Sequence, residues 1–176
     1  MQPIPTSFDG YTFRSRLEAR WAVFFKLRRI QYKHEHQGFR LKGGLWYLPD
    51  FFLPEHPCFI EIKPDSILDN PEEQEKLAAL LHIWNEDRNR PGSLYAFVGE
   101  PRKERHTVFV VTNTETWAAR LMACRRCPGL SWETFDGSAW GNIGEHPPDC
   151  VKYNERWPLP LDDVFDEAMA VRFEHC

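Results

Sequence analysis

The run Cys58-Phe-Ile-Glu-Ile-Lys63 constrains this chain more than any other stretch. Its six residues alternate, and Pro64 stops them, so the run predicts a short strand rather than a helix. Side chains two apart in a strand share a face, so Glu61 and Lys63 project together. Their neighbours Phe59, Ile60 and Ile62 mark the strand as buried, and buried charge is costly unless it is paired or bound. Upstream, Leu45 to Phe52 predicts the preceding strand, and Pro54 to Pro57 a tight turn that sets the two strands side by side. Asp50 then reaches the same patch as Glu61 and Lys63.

Two carboxylates and a lysine at one spot meet a definite chemical need. Phosphodiester cleavage adds negative charge to a centre that already repels anions. A divalent cation held by oxygen ligands neutralises that charge and lowers the pKa of a bound water. Asp50 and Glu61 supply hard oxygen ligands for Mg2+ or Mn2+, and the Ile62 carbonyl can add a third. Lys63 can orient the attacking water or stabilise developing charge. The competing reading makes Glu61 and Lys63 a cross-face ion pair on an edge strand, with Asp50 merely ending its own strand.

Around this patch the chain reads as a mixed α/β protein. Residues 1–12 form a lead-in closed by the turn Asp9-Gly10. Thr12 or Ser15 caps a helix to about Arg29, in which Leu17, Trp21, Phe24, Phe25 and Leu27 recur at helical spacing. Ile30 to Phe39 predicts a strand, and Gly43-Gly44 a hairpin turn into Leu45 to Phe52. After the Glu61 strand, Asp69 or Asn70 caps a second helix, with Pro71 in its first turn and Leu77, Leu80, Leu81 and Trp84 as its buried stripe. Gln74 opens that helix and reads either as a polar residue near the patch or as an exposed first-turn glutamine. Leu94 to Val98 and Val108 to Thr112 predict two buried strands, and Thr114 to about Met122 a short helix. The order α-β-β-β-α-β-β implies a mixed sheet flanked by helices. Residues 1–122 form the core in this division. Residues 123–158, rich in Gly, Pro, Trp and Cys, are an insertion with its own stabilisation, and 159–176 carry an acidic amphipathic helix from Leu161 to Phe173.

Composition narrows the function classes. A chain of 176 residues with 42% hydrophobic residues is globular. No apolar run approaches the roughly 20 residues needed to cross a bilayer, and Met1-Gln-Pro-Ile-Pro lacks a signal-peptide layout, so a soluble cytoplasmic protein is expected. The net charge of −4 argues against indiscriminate adhesion to nucleic acid. Between Arg14 and Lys42, however, nine basic residues face only Glu18 and Glu35. Arg14, Arg16 and Arg20 surround Glu18, and they read either as phosphate contacts or as plain surface charge.

Taken together, Pro49-Asp50 and Glu61-x-Lys63 resemble the PD-(D/E)xK signature of restriction-endonuclease-like nucleases, in which a glutamate on the first helix often completes the site. Glu18 stands at that position and would bind metal through water or hold a second ion. Phe13-Arg-Ser-Arg-Leu-Glu-Ala-Arg-Trp, Tyr47-Leu-Pro-Asp-Phe, Phe59-Ile-Glu-Ile-Lys and Val171-Arg-Phe-Glu-His are similar to small nuclease-like proteins of bacteriophages and mobile elements. The resemblance covers residues 10–64 and part of the C-terminal helix. It implies a restriction-endonuclease-like core, catalytic Glu18, Asp50, Glu61 and Lys63, DNA as substrate, and a bacterial cell or phage-infected host as the setting. A homodimer or a protein partner is compatible with it. The alternative is a nuclease fold that no longer cuts and binds nucleic acid or a protein partner, in phage regulation or counter-defence.

Five cysteines do not complete a disulfide framework. Cys124 and Cys127 have the spacing of half a zinc knuckle, and His146 with Cys150 is the nearest second half. A structural Zn2+ there would stabilise the insertion. The other reading leaves these cysteines as small buried apolar residues. Trp132, Trp140 and Trp157 read either as base-stacking groups or as the insertion's own small core. His34 and His36 share a face of one strand and read either as groups that approach a groove or as surface polarity.

Overall fold

The computed structural model describes residues 4–102, 107–111, 116–123, 127–144 and 162–173. In chain order these form β1 (Thr6–Phe8), β2 (Tyr11–Phe13), α1 (Arg16–Leu27), β3 (Lys33–His34), β4 (Phe39–Arg40), β5 (Trp46–Tyr47), β6 (Phe51–Leu53) and β7 (Cys58–Lys63). A 3-10 turn (Asp65–Asp69), α2 (Pro71–Glu86), β8 (Ser93–Val98), β9 (Thr107–Val111), β10 (Thr116–Ala123), β11 (Leu130–Thr134), β12 (Trp140–Ile143) and α3 (Asp162–Ala170) follow.

The expected mixed α/β class holds: one eight-stranded sheet, in the order β12-β11-β10-β9-β8-β7-β6-β3, carries helices on its faces. Only β7 and β8 pair in parallel among its strands; the other pairs are antiparallel. A parallel pair needs a long crossover, and α2 supplies it. Asn70 caps α2 by accepting from the Glu73 amide, with Pro71 in the first turn. On the other face, α1 buries Trp21, Phe24 and Phe25 completely. Trp21 packs on Phe97 of β8, with ring centroids 4.8 Å apart, and its indole N–H donates to the Gly99 carbonyl at 2.8 Å. Phe24 stacks on Phe165 of α3 at 5.2 Å. Two apolar cores result, one between the sheet and α1 with α3, the other between the sheet and α2. No helix among the described residues is long and apolar enough to cross a membrane.

Several elements differ from the sequence reading. The lead-in is partly a hairpin, β1 paired with β2 around Asp9-Gly10, both in left-handed conformation. The expected continuous strands Ile30–Phe39 and Leu45–Phe52 are each broken in two. β3 ends at Glu35, which adopts a positive φ of 44°, so the chain leaves the main sheet and returns through a separate two-stranded ribbon, β4 with β5. The expected helix up to Met122 is instead β10. Its Ala, Arg, Leu and Met content favours helix, but Ala119 and Leu121 are buried while Ala118 and Arg120 are exposed, the period of two that sheet pairing imposes. Nor is the stretch after it irregular throughout. β11 and β12 continue the sheet, and Trp132 and Ile143 join the core shared with α1.

The far end of that meander returns to the other end of the sheet. Gly144 (φ +71°) follows β12, and a Cβ there would stand 2.2 Å from the His56 carbonyl oxygen in the β6–β7 turn. The Tyr95 hydroxyl of β8 donates to the Asn142 carbonyl at 3.3 Å. The sheet is therefore coiled, with the end of β12 meeting the β6–β7 turn and Tyr95 of β8.

Candidate active site

Register brings the first two carboxylates together. β6 pairs with β7 as Phe51↔Ile60, Phe52↔Phe59 and Leu53↔Cys58. One step further sets Asp50 opposite Glu61, where cross-strand Cβ atoms stand about 4.5–5.5 Å apart and like charges repel. Asp50 is 3% and Glu61 7% exposed, so water screens neither well. Asp50 Oδ2 accepts from the Ile62 amide at 2.7 Å, which ties the aspartate to the strand between Glu61 and Lys63. The Ile62 N–H thus positions Asp50.

Each carboxylate is held by further donors. Lys63 Nζ lies 2.7 Å from Glu61 Oε1, and the Tyr47 hydroxyl donates to Glu61 Oε2 at 2.5 Å. Arg14 Nη2 lies 2.5 Å from Asp50 Oδ1, while its Nε pairs with Glu35 at 2.8 Å. Burial, reinforced by the charge of Glu61, raises the Asp50 pKa to about 8. Burial, then the Glu61 charge, also pushes the Tyr47 phenol far above its ordinary range, so it stays a neutral donor.

Glu18 occupies a different setting. Ser15 caps α1 by accepting from the Glu18 amide at 3.1 Å, and Ser15 Oγ donates back to Glu18 Oε1 at 2.8 Å. Ser15-x-x-Glu18 is a variant of the capping box. Oε2 accepts from the Arg14 amide at 3.2 Å and lies 3.2 Å from His34 Nε2. Burial would raise the Glu18 pKa, yet the hydrogen bonds from His34 and Ser15 and the nearby Arg14 hold it below the ordinary value. His34 packs on Phe13 and Phe51, on the α1 side of the sheet. Glu61 and Lys63 instead share the parity of Phe59, on the α2 side. Arg14 spans the two sides, and Asp50 feels the charge of Glu18 as well as that of Glu61.

The three arginines diverge. Arg14 is the cation on Asp50. Arg16 opens α1. Arg20 instead donates to the Ala168 carbonyl at 3.0 Å and to that of Val171, and lies over the Phe173 ring. It fastens the end of α3 to α1. Gln74 is half-buried and donates to the Leu68 carbonyl at 2.8 Å, closing the 3-10 turn ahead of α2. Two residues near the patch escaped sequence reading. Tyr47 stands in the Tyr47-Leu-Pro-Asp run, where a half-buried phenol next to the aspartate is the only signal of its role. His34, expected at the surface, is buried instead, its side chain 6% exposed.

Among the described residues, no three His, Cys, Asp or Glu side chains form a preformed metal cage. Asp50 and Glu61 alone do suit a hard cation that keeps several waters, as Mg2+ does with one or two carboxylates. Burial first, and then their mutual repulsion, raise the Asp50 pKa, and a divalent ion would relieve the repulsion. Of the expected zinc ligands, Cys124, His146 and Cys150 lie outside the described residues, as does Trp157. Cys127 is half-buried, and its Sγ accepts from the Gly129 amide at 3.4 Å. Cys58 is buried among apolar neighbours, which pushes its thiol pKa up and leaves it inert. No protein-family model matches the chain, and no curated protein matches it, so the residues themselves carry the functional reading.

Proposed function

We propose that the chain is a Mg2+- or Mn2+-dependent nuclease of the PD-(D/E)xK type, with a restriction-endonuclease-like core, that hydrolyses phosphodiester bonds of DNA. One observation carries the reading: the Asp50 carboxylate is bonded to the backbone between Glu61 and Lys63, so two buried carboxylates and one ammonium meet at one place. A divalent cation bound there supplies charge neutralisation and a more acidic water.

The chain's own residues supply the rest. Asp50 and Glu61 would hold the ion. The Ile62 amide fixes the Asp50 carboxylate, and the Tyr47 phenol fixes that of Glu61. Lys63, one-third exposed, keeps its ammonium at the carboxylate pair, where it can orient a water and stabilise charge that grows on the phosphate. Arg14, 60% exposed on its long stem, can exchange its hold on Asp50 for a substrate phosphate. Glu18 positions Arg14 and His34 and reaches the patch through its charge.

The test is incubation with plasmid, linear, single-stranded and branched DNA, with Mg2+ or Mn2+ against EDTA. Cleavage that requires the cation supports the reading, and intact DNA under all conditions removes it. The second reading, a silent nuclease fold that binds without cutting, draws on the fact that Arg14 and Lys63 already neutralise Asp50 and Glu61. A structural Zn2+ on Cys124, Cys127, His146 and Cys150 stands as part of the proposal. Elemental analysis near one zinc per chain supports it, and zinc-free folded protein removes it.

A further inference from the structure

The β4–β5 ribbon takes no part in the main sheet, and its two faces differ. The inner face is committed to the core. Phe39 meets Phe59 and Trp84 edge-on, with centroids 5.2 and 4.8 Å apart, Leu41 is buried, and Tyr47 packs on Trp84 while bonding Glu61. The outer face is bare. Trp46 is 67% exposed, and Arg40, its cross-strand partner, lies on the same face; Leu45, 64% exposed, belongs to the turn. The turn between them is held by Leu41 N–H to the Leu45 carbonyl at 2.7 Å and Gly44 N–H to the Leu41 carbonyl at 2.9 Å.

Trp46 is exposed but not loose. A Cβ on Gly38 would stand 2.4 Å from its six-membered ring, so the indole rests against the Gly38 backbone. Only glycine permits that approach, and it gives the ring a support. A large apolar surface left in water, held in place beside a cation, is pre-organised for a ligand with a flat face and a negative charge. No carboxylate occurs from His36 to Pro49, whereas Arg40 and Lys42 do. Arg40 and Lys42 also line the cleft between the ribbon and the end of α2, together with Glu86 and with Asp87, which pairs with Arg90.

We propose that this outer face binds an unpaired stretch of nucleic acid, one base stacked on Trp46 and its phosphates on Arg40 and Lys42. The proposal rests on the nuclease reading and adds the form of the substrate. Bases in a duplex already have both faces stacked, so an exposed indole selects unpaired ones. Trp46 follows the opposite face of the ribbon from Tyr47, whose hydroxyl bonds Glu61, so the stacked base would be held across the ribbon from the carboxylate pair and the strand would continue from there to the site.

The experiment is fluorescence anisotropy with labelled single-stranded, forked and duplex oligonucleotides of one sequence, in Ca2+ to prevent cutting. Trp46→Ala is expected to weaken single-stranded and forked binding about tenfold, the scale of one stacked base, and to leave duplex binding nearly unchanged. Trp46→Phe should keep most of the affinity, and Arg40→Glu should lose it. Equal loss on all three substrates, or no loss, overturns the proposal. So does a dimer that Trp46→Ala converts to monomer in sedimentation, since the face would then be a self-contact. If Trp46→Ala fails to fold by circular dichroism, Arg40→Glu decides: loss confined to unpaired substrates supports the stack, and uniform loss overturns it. Wild-type protein that binds single strands but never cuts them removes the nuclease reading alone. Cutting protein whose affinities ignore Trp46 removes this inference alone, and wild-type protein that binds no nucleic acid removes both.

Discussion

At the β6–β7 end of the sheet, Asp50 and Glu61 are buried opposite one another, each held by a cation and by a neutral donor. At the β10–β12 end, Ala119, Leu121, Leu130 and Ile143 fill the interior, and the buried polar groups are neutral. Ser131 donates to Asn142 at 3.3 Å and Thr134 to the Ala139 carbonyl at 3.1 Å, all within the meander. Both regions belong to one sheet, yet only the first holds charge against its preference for water. A chain keeps such an arrangement at a cost to stability when the repulsion itself attracts something, which is the physical case for a site there. Substitutions at the first end should therefore act on chemistry and on pH response, and those at the second on stability alone.

The largest separation of the two should come from Lys63→Ala. Its cleavage rate is expected to fall by about 100- to 1000-fold, the scale for losing one donor to transition-state charge. Its affinity for DNA in Ca2+ and its melting temperature should stay close to wild type. Full cleavage by this variant would break the comparison at its first end. Trp132→Ala provides the converse. This side chain is 9% exposed and belongs to the α1-side core, so truncation should cost about 3 kcal/mol in denaturant unfolding. Cleavage per folded molecule should not change. A variant that unfolds no earlier than wild type would deny the meander its structural role.

A pH series sharpens the contrast further. Because the folded protein holds the Asp50 proton more tightly than the unfolded chain, with a pKa of about 8 against 3.8, stability in chelator should fall as pH rises between those values and level off above. Asp50→Asn keeps an oxygen for the Ile62 amide and removes the titrating charge, so its melting temperature should decline less across the same window. Added Mg2+ should raise the wild-type melting temperature by several degrees near pH 8.5 and by less near pH 6. Parallel curves for both proteins would mean that Asp50 is not the group at issue. The smallest effect is expected away from both ends. Arg29 closes α1 with a positive φ of 58°, where the Ile30 N–H reaches the Phe25 carbonyl at 2.8 Å. Arg29→Gly should stabilise by up to about 1 kcal/mol, with cleavage untouched; destabilisation would show that the guanidinium matters more than the backbone.

These two regions also differ in how far the sequence disclosed them. Ser15, Asn70, Trp21, Phe25 and the alternation of Cys58–Lys63 act locally, through caps, stripes and strand parity, and they could be read without the fold. β10 could not. Its composition suits a helix, and only pairing with β9 and β11 makes it a strand. β11 and β12 are short, and Trp132 finds its place over Gly141, a residue with no side chain to signal the pairing. Within the site, Asp50, Glu61 and Lys63 were visible as a pattern. Tyr47 and His34 were not, because their roles depend on which way a broken strand turns after Glu35.

That break has another result, at the margin of the sheet. The outermost strand on this side, β3, contributes only Lys33 and His34 before the left-handed Glu35 ends it. An open sheet edge invites pairing with the edge of another molecule, and a strand of two residues with a lysine on it offers almost no ladder to extend. Replacing Glu35 with a residue that prefers extended backbone would lengthen that edge and present hydrogen-bonding groups to neighbouring copies. The turn that sends the chain towards the Trp46 ribbon thereby also protects the folded protein from edge-to-edge aggregation.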